Sequence, residues 1–178
     1  MEVKRIAVTG PAGAGKSRLS REIGAAWGID VLHLDTLFWK PGWVETPPAE
    51  WEATQRRELE RDSWIVDAQY EDMLPDWFDA ADLVVVVDPS TLGCLWRVSR
   101  RRLDRQDGPD VPAGSEPAPV HRSLATFTRD RWHYRRTVRP KLLAKLASRH
   151  NGQRVVVLRS GGAARRFMAH LPRHGESS

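Results

Sequence analysis

The chain has 178 residues, enough for one domain that buries a full core without disulfides or a structural metal. Its single cysteine, Cys94, has no partner for an intramolecular bridge, and the opening MEVKRIAVTG runs directly into a strand pattern instead of a signal peptide, so a reducing cytoplasm is the expected setting. The longest apolar run, around LVVVVD, is far shorter than the roughly 20 residues that span a bilayer, which argues for a soluble protein without a membrane partner.

The charge is unevenly distributed along the chain. Residues 1–95 carry 9 Lys and Arg against 17 Asp and Glu, whereas residues 96–178 carry 19 against 6, and the net charge is +5. A basic half of this kind is typical of a nucleic-acid groove, of a site for the phosphates of a small ligand, or of a solvated basic surface. Composition alone leaves these three interpretations open.

Five short apolar or β-branched runs alternate with helical patterns, and this alternation predicts an α/β domain with a mainly parallel sheet. The predicted strands are residues 5–10, 30–35, 63–68, 81–88 and 153–160. The predicted helices are residues 16–28, 49–62, 91–105, 122–149 and 163–171.

One segment interrupts the alternation. Residues 104–119, DRQDGPDVPAGSEPAP, are rich in Pro, Gly and acids and lie between two arginine-rich helical patterns. This composition predicts an exposed, mobile insertion over about 104–121 within a single domain, 1–178, and such insertions often serve as lids. A disordered insertion without a function is the alternative.

The segment GPAGAGKS, Gly10 to Ser17, matches G-x-x-x-x-G-K-[ST] and falls between the first predicted strand and the first predicted helix. Glycines there let backbone N–H groups turn toward phosphate oxygens, and the helix N-terminus adds the positive end of its dipole. Lys16 is expected to reach the β- and γ-phosphates of a nucleoside triphosphate, and Ser17 to ligate Mg²⁺. The residues predicted to bind the nucleotide here are Gly10, Ala12, Gly13, Ala14, Gly15, Lys16, Ser17 and Arg18.

Acidic residues end three of the predicted strands. Asp88 is placed where a P-loop protein has a second carboxylate that holds Mg²⁺ directly or through water, with a cap for the helix near Thr91 as the alternative. No glutamate or glutamine placed to orient water is visible there, which favours transfer to a bound acceptor over hydrolysis. Asp35, and Asp67 with Tyr70, follow the second and third strands, and strand ends of open α/β sheets face the ligand crevice.

Aromatic residues follow Asp35 in HLDTLFWKPGW, residues 33–43. Phe38, Trp39 and Trp43 offer flat apolar walls for a substrate ring, and core packing is the alternative for each. Asp35 is expected to face the phosphoryl acceptor, whereas a mere cap of the next turn is the competing interpretation.

Arginines cluster on both sides of the insertion. Arg97 and Arg101 lie four residues apart on one helix face before it, and Arg131 and Arg135 repeat this spacing after it. Guanidinium groups closing over a triphosphate would neutralise the charge that develops between donor and acceptor. Arg136 and Arg139 belong to the same group, and the predicted catalytic residues are Lys16, Asp35, Arg97, Arg101 and Arg135.

Together, GPAGAGKS, HLDTLFWKPGW, WIVDAQY, LVVVVDPS and VVVLRSGGAARRF resemble the motifs of the adenylate-kinase-related P-loop proteins known as topology modulation proteins. The resemblance covers nearly the whole chain. It implies a three-layer αβα fold of the nucleoside-monophosphate-kinase type, a five-stranded parallel sheet in order 2-3-1-4-5, ATP as donor, Mg²⁺ and an arginine-bearing lid. It also implies that the turn at Ser160 and Gly161 passes the adenine. Family members typically read D-G-N-Y where this chain has Asp67–Ala68–Gln69–Tyr70.

The leading hypothesis is an ATP-dependent phosphotransferase that transfers the γ-phosphoryl group to a nucleotide or a small anionic or hydroxyl acceptor. One alternative is a small-molecule hydroxyl kinase of the shikimate-kinase type, in which an aspartate placed like Asp35 orients or deprotonates the hydroxyl. The other is a nucleotide-binding regulator that contacts DNA through the basic C-terminal half, although no helix-turn-helix, zinc or RRM signature is visible.

Overall fold

The computed structural model of the chain describes residues 3–70, 73, 75–90, 93–94, 124–148 and 152–171. The predicted lid insertion, Arg97, Arg101 and nearly all of the helix predicted over 91–105 lie outside the described residues.

A five-stranded parallel sheet forms the centre of the described fold, with strand order β2-β5-β1-β6-β7. Counted along the chain, the parallel strands alone follow the order 2-3-1-4-5, as predicted. The two remaining strands, β3 and β4, pair as a separate antiparallel hairpin. The strands are β1 (Arg5–Thr9), β2 (Val31–His33), β3 (Trp39–Lys40), β4 (Val44–Glu45), β5 (Trp64–Ala68), β6 (Leu83–Val87) and β7 (Arg154–Leu158).

The helices flank this sheet. They are α1 (Lys16–Trp27), α2 (Leu34–Phe38), α3 (Pro48–Leu59), α4 (Pro75–Ala80), α5 (Leu124–His133), α6 (Arg139–Ala147) and α7 (Gly161–Ala169). A π-helical turn, Tyr134–Val138, joins α5 to α6. The long predicted helix at 122–149 is therefore present, but its hydrogen-bond register changes in the middle. The sequence patterns did not predict α2, α4 or the hairpin, because elements this short show no complete period.

The sheet separates two apolar clusters, which makes the fold three-layered. Alternate side chains of β1 point to opposite faces, so Ile6 and Val8 belong to one cluster and Ala7 to the other. Leu19 and Ile23 of α1 cover the first face, and Trp77 of α4 lies on the second. The predicted α/β fold with helices on both faces of a parallel sheet is confirmed.

Parallel strands bring their carboxyl ends to one edge of the sheet, and this edge carries the site. β1 runs into the Gly10–Ser17 loop, and its last residue, Thr9, is in register with Ala68 of β5. β2 is in register with β5 on the other side, so His33 lies opposite Asp67. The strand prediction at 30–35 was too long, because β2 ends at His33 and Asp35 lies in the first turn of α2.

No helix within the described ranges is long and apolar enough to cross a membrane.

Candidate active site

The loop between β1 and α1 has three glycines with positive φ, Gly10, Gly13 and Gly15. Gly10 has φ 150°, and a Cβ atom there would overlap the carbonyl oxygen of Val87 on the adjacent strand. Gly15 has φ 94° at the N-cap of α1, and nothing lies within 4 Å of the position that its Cβ would occupy. Gly10 thus lets the loop pass close to β6, while the space at Gly15 stays open for a ligand to approach the backbone.

Lys16 begins α1 and is only 8% exposed. Its ammonium group forms no hydrogen bond or ion pair with another residue in the described part of the chain. Because the lysine side chain is largely buried and its ammonium group has no described counter-charge, an anionic ligand is the partner that would satisfy it. Ser17, next along the first turn, is partly buried. Arg18 points to the outside, where it pairs with Glu22 at 2.7 Å.

A cavity of about 200 Å³ lies between this loop and α5, and it is called the loop–helix cavity here. Its walls come from the start of the Gly10–Ser17 loop, from the residues after β5, and from the helical segment that contains the π turn. The lining residues are Gly10, Pro11, Ala12, Gln69, Tyr70, Asp130, Arg131, His133, Tyr134 and Val138.

Arg131 is the most unusual residue of the loop–helix cavity, because its guanidinium group is buried without a counter-charge from any described residue. The residue is 1% exposed. One terminal nitrogen, Nη2, donates to the carbonyl oxygen of Pro89 at 2.9 Å, whereas Nε and Nη1 are buried with no hydrogen-bond partner among the described residues. The N–H groups on these two nitrogens are therefore unsatisfied in the wall of the cavity, and an anion is the partner that would suit them.

Tyr134 lies beside Arg131, whose guanidinium carbon is 5.6 Å from the centre of the tyrosine ring. The phenol oxygen of Tyr134 is buried and also has no partner within the described ranges. Burial raises the pKa of Tyr134 to about 12, and the negative charge of Asp88 adds to this effect. The phenol therefore keeps its proton at neutral pH and is an unsatisfied hydrogen-bond donor in a residue that lines the cavity.

A second and larger cavity, of about 540 Å³, is lined by Asp88, Ser90, Arg135, Arg139 and Arg159, and it is called the arginine cavity here. Asp88 is nearly buried, and its Oδ2 accepts a hydrogen bond from Nε of Arg139 at 2.8 Å. Its Oδ1 has no partner within the described ranges. Arg135 and Arg159 are exposed around the same space. Three guanidinium groups around one carboxylate give this cavity a net positive charge.

The expectation that Arg131 and Arg135 act on one face is wrong for the described structure. Arg131 is buried in the loop–helix cavity, whereas Arg135 is exposed in the arginine cavity. The reason is the π-helical turn, which begins at Tyr134 and changes the register between the two arginines. Arg136 instead stacks on the exposed Trp132 at 4.4 Å from its ring centre.

At the end of β2, His33 and Asp67 form a hydrogen-bonded pair. Nδ1 of His33 lies 2.8 Å from Oδ2 of Asp67, and the two side chains are 21% and 4% exposed. The other Asp67 oxygen, Oδ1, is buried with no partner among the described residues. Asp67 was predicted at the acceptor wall, and the structure places it against an imidazole at the carboxyl edge of the sheet.

Asp35 and the predicted aromatic walls occupy the region after β2. Asp35 is exposed in the first turn of α2, where a carboxylate is favoured by the helix dipole. Phe38, Trp39 and Trp43 are partly buried and pack edge to face, at 5.0 Å for Phe38 to Trp39 and 5.8 Å for Trp39 to Trp43. Phe38 also contacts Trp51 of α3, 5.4 Å away. These rings join the β3–β4 hairpin to α3. Tyr70 lies elsewhere, where it lines the loop–helix cavity and packs on Phe78.

The turn predicted to pass the adenine is close to the Gly10–Ser17 loop. A narrow crevice of about 50 Å³ is bordered by Ala14 and Gly15 on one side and by Ser160 and Gly161 on the other. Ser160 caps α7, and its hydroxyl accepts a hydrogen bond from the N–H of Ala163 at 3.1 Å. The crevice is otherwise mainly apolar, which suits the edge of a ring better than a phosphate.

Two of these features could not be identified from the sequence. His33 is a lone histidine in the sequence, and its partner Asp67 becomes visible only when β2 is placed in register with β5. Arg159 was missed, because one arginine after a strand does not differ in sequence from a solvated one.

Comparison with known proteins identifies the fold. No protein-family model matches the chain, and no curated protein matches it. Among solved structures, a shikimate kinase from Acinetobacter baumannii in complex with shikimate is similar with a TM-score of 0.59, at 16% identity over 94% of this chain and 89% of that chain. A gluconokinase from Sinorhizobium meliloti 1021 gives a TM-score of 0.49, at 16% identity over 93% of this chain and 91% of that chain. On the first of these likenesses and its own sheet order, the chain has the fold of the P-loop kinases.

Proposed function

We propose that this protein is an ATP-dependent phosphotransferase that transfers the γ-phosphoryl group of ATP to a small acceptor. The observation that carries the proposal is Lys16, a largely buried lysine whose ammonium group has no described counter-charge, at the start of α1 and directly after a glycine loop in a P-loop kinase fold. A fold alone does not determine an activity, but this lysine is the group that contacts the β- and γ-phosphates when such a loop binds a nucleoside triphosphate.

The donor occupies the Gly10–Ser17 loop in this proposal. Backbone N–H groups around Gly13 and Gly15 and the side chain of Lys16 hold the phosphates. The adenine lies toward Ser160 and Gly161, across the apolar crevice. Arg135 and Arg159 of the arginine cavity neutralise negative charge on the transferring group, which is where most of the catalysis of phosphoryl transfer originates.

The residues present fit a magnesium ion at the donor. The described residues contain no group of three His, Cys, Asp or Glu side chains that could hold a metal by themselves. Mg²⁺ in kinases needs only one or two protein oxygens, because phosphates and waters complete its shell. The Ser17 hydroxyl and Oδ1 of Asp88, which is buried without a described partner, would provide them. A magnesium ion held there would polarise the donor phosphates.

The loop–helix cavity is the acceptor site in this proposal. It borders the start of the phosphate loop, and Arg131 and Tyr134 present buried donors there. An acceptor with a carboxylate or phosphate group would satisfy these donors, and both a hydroxy acid and a nucleotide carry such a group. Nucleotide-kinase-like activity is favoured by the motif resemblance, while the structural neighbour that binds shikimate supports a hydroxy acid.

The DNA-contacting regulator is the less favoured function. Binding to DNA phosphates requires arginines on an accessible outer surface. In the described part of the basic half, Arg131 is buried and Arg139 is paired with Asp88. These two arginines of the predicted basic cluster therefore line cavities, as expected for small phosphate-bearing ligands, whereas Arg135 and Arg136 are exposed.

The test is a phosphoryl-transfer screen with γ-labelled ATP and Mg²⁺ against nucleoside monophosphates, hydroxy acids and sugar acids. Labelled product must appear with the parent protein and disappear with Lys16→Ala. A fluorescent DNA duplex is titrated in parallel at rising salt. Tight DNA binding that persists at near-physiological salt, together with no labelled product from any acceptor, would reverse the assignment.

A further inference from the structure

The His33–Asp67 pair lies at the carboxyl ends of two adjacent strands, and helix capping does not account for it. His33 occupies the N-cap of α2, where Ser, Thr, Asp and Asn are preferred because their side chains accept a backbone N–H bond. The His33 side chain makes no capping bond. Its ring is instead turned to the buried Asp67 carboxylate on β5.

The arrangement fixes the state of the imidazole. A carboxylate only accepts hydrogen bonds, so Nδ1 of His33 carries the hydrogen that points to Oδ2 of Asp67. In the neutral ring, Nε2 then has a free lone pair. Nε2 has no hydrogen-bond partner among the described residues, and the ring is partly exposed to solvent. A buried carboxylate that holds an imidazole with its second nitrogen outward is the arrangement of a general base.

The sheet geometry places this base on the acceptor side. β2, β5 and β1 are consecutive strands, so the end of β2 is about 10 Å from the end of β1, where the phosphate loop begins. The residues that follow Asp67 on the chain, Gln69 and Tyr70, line the loop–helix cavity. Ligands of open α/β sheets occupy this crevice outside the carboxyl ends of the strands.

We propose that His33 is the general base for a hydroxyl acceptor and that Asp67 is its positioning residue, which makes the acceptor a small hydroxy acid and not a nucleoside monophosphate. This inference rests on the proposed phosphotransferase function. The acceptor O–H bond breaks and its proton moves to Nε2 of His33, while the acceptor oxygen bonds to the γ-phosphorus. The bond between that phosphorus and the β–γ bridging oxygen breaks, ADP leaves with the electron pair, and His33 later releases the proton to solvent.

The choice of acceptor class follows from its need for a base. A phosphate acceptor is already largely ionised near neutral pH, since its second pKa is about 6, so it needs no strong base. An alcohol does need one, and general-base assistance contributes roughly 10²–10⁴-fold to turnover. A preoriented imidazole at this edge is useful for the alcohol and superfluous for the phosphate.

The kinetic test uses His33→Gln and Asp67→Asn, with His170→Gln as a control histidine near the end of α7. A mixture of shikimate, gluconate and glycerate is the hydroxyl probe, and AMP and CMP are the phosphate probes. Both site variants should lose about 10²–10⁴-fold in kcat on the hydroxyl probe with little change in KM for ATP, and the double variant should lose no more than the worse single variant. His33→Ala should regain turnover with added imidazole, which a merely structural role does not predict.

Proton placement provides a readout that does not depend on turnover. In ¹⁵N-histidine NMR of the parent, His33 should be protonated at Nδ1 in its neutral form, and Asp67→Asn should move the proton to Nε2. Any of three results would overturn the inference. The first is protonation of His33 at Nε2 in the parent, and the second is unchanged turnover of the hydroxyl probe in His33→Gln. The third is phosphorylation of AMP or CMP without phosphorylation of any hydroxyl probe. Labelled product that is lost with Lys16→Ala while His33→Gln matches the parent would refute the base alone and leave the phosphotransferase assignment intact.

Discussion

Replacing Arg131 by methionine tests whether its burial serves ligand binding. Methionine fills a similar apolar volume but removes the guanidinium group. A buried charge without its partner costs about 3–5 kcal/mol. Loss of the bond to the Pro89 carbonyl costs about 1–3 kcal/mol, and loss of the contact with the Tyr134 ring about 0.5–1 kcal/mol. Arg131→Met should therefore leave the ligand-free protein between about 1 kcal/mol less stable and about 3.5 kcal/mol more stable.

The same substitution should weaken acceptor binding. Nε and Nη1 of Arg131 are buried donors without partners among the described residues, and Arg131 lines the loop–helix cavity. Charge-assisted hydrogen bonds contribute about 1.5–3 kcal/mol each, so losing two should raise the acceptor KM by roughly 10²–10⁴-fold. A protein that becomes more stable while it binds its substrate less tightly is the signature of a group retained for function.

The assay combines thermal unfolding with acceptor kinetics, and Arg129→Met serves as the control. Arg129 is exposed on the same helix, α5, so its replacement should change stability by no more than about 0.5 kcal/mol and leave the acceptor KM unchanged. In a Lys16→Ala background, sulfate should still raise the unfolding temperature, and adding Arg131→Met should remove that increase. An Arg131→Met protein that is less stable by several kcal/mol and keeps the parent KM would refute the reasoning, since the arginine would then be structural.

Three further predictions follow from the same structure. Lys16→Ala should abolish ATP turnover with an unchanged circular dichroism spectrum. Lys16→Arg should also fail, because a planar guanidinium group does not replace a compact ammonium group. Parent-like turnover in either variant would remove the phosphate-loop assignment. Gly10→Ala should lose turnover and about 1–3 kcal/mol of stability, because the new Cβ would overlap the Val87 carbonyl. The control, Gly28→Ala, also has an unfavourable positive φ, but no atom lies within 4 Å of its new Cβ, so it should keep parent turnover. Burial raises the Tyr134 pKa to about 12, whereas a tyrosine in the unfolded chain ionises near pH 10, so the unfolded state loses its proton first as the pH rises. The free energy of unfolding should therefore fall by about 2–3 kcal/mol more between pH 10 and 12 in the parent than in Tyr134→Phe. Parallel curves of unfolding free energy against pH for the two proteins would contradict the raised pKa.

Local patterns were sufficient to predict the fold class. Each parallel strand is a short β-branched run, and α1 combines helical periodicity with a glycine loop before it, so an α/β domain with a mainly parallel sheet followed from these patterns. The three layers and the strand order were implied by the motif resemblance. The errors occurred where a short element breaks a pattern. The apolar run at 30–35 reads as one strand, but the backbone changes from strand to helix after His33, which moved Asp35 from a strand end to a helix turn.

The donor and acceptor halves of the candidate site differ in how far sequence can predict them. The donor half depends on consecutive residues, Gly10 to Ser17, whose spacing is itself the signal. The acceptor half is assembled from β2, β5 and the helical segment after residue 124, and its key contacts join residues far apart on the chain, such as His33 with Asp67 and Arg131 with Pro89. No spacing rule encodes such contacts.

This difference explains why buried polar groups are the most informative feature of the acceptor half. Arg131, Tyr134 and Asp67 each leave a polar atom buried without a described partner, an arrangement that packing alone disfavours because it costs stability. On the helical side of the site, the unsatisfied atoms are the N–H donors of Arg131 and the phenol of Tyr134. On the strand side, the unsatisfied atom is Oδ1 of Asp67, the carboxylate that pairs with His33. An acceptor that satisfies the helical side carries an anionic group, and one that uses the strand side carries a hydroxyl, so a single small molecule with both groups accounts for the unsatisfied donors and for the His33 base together.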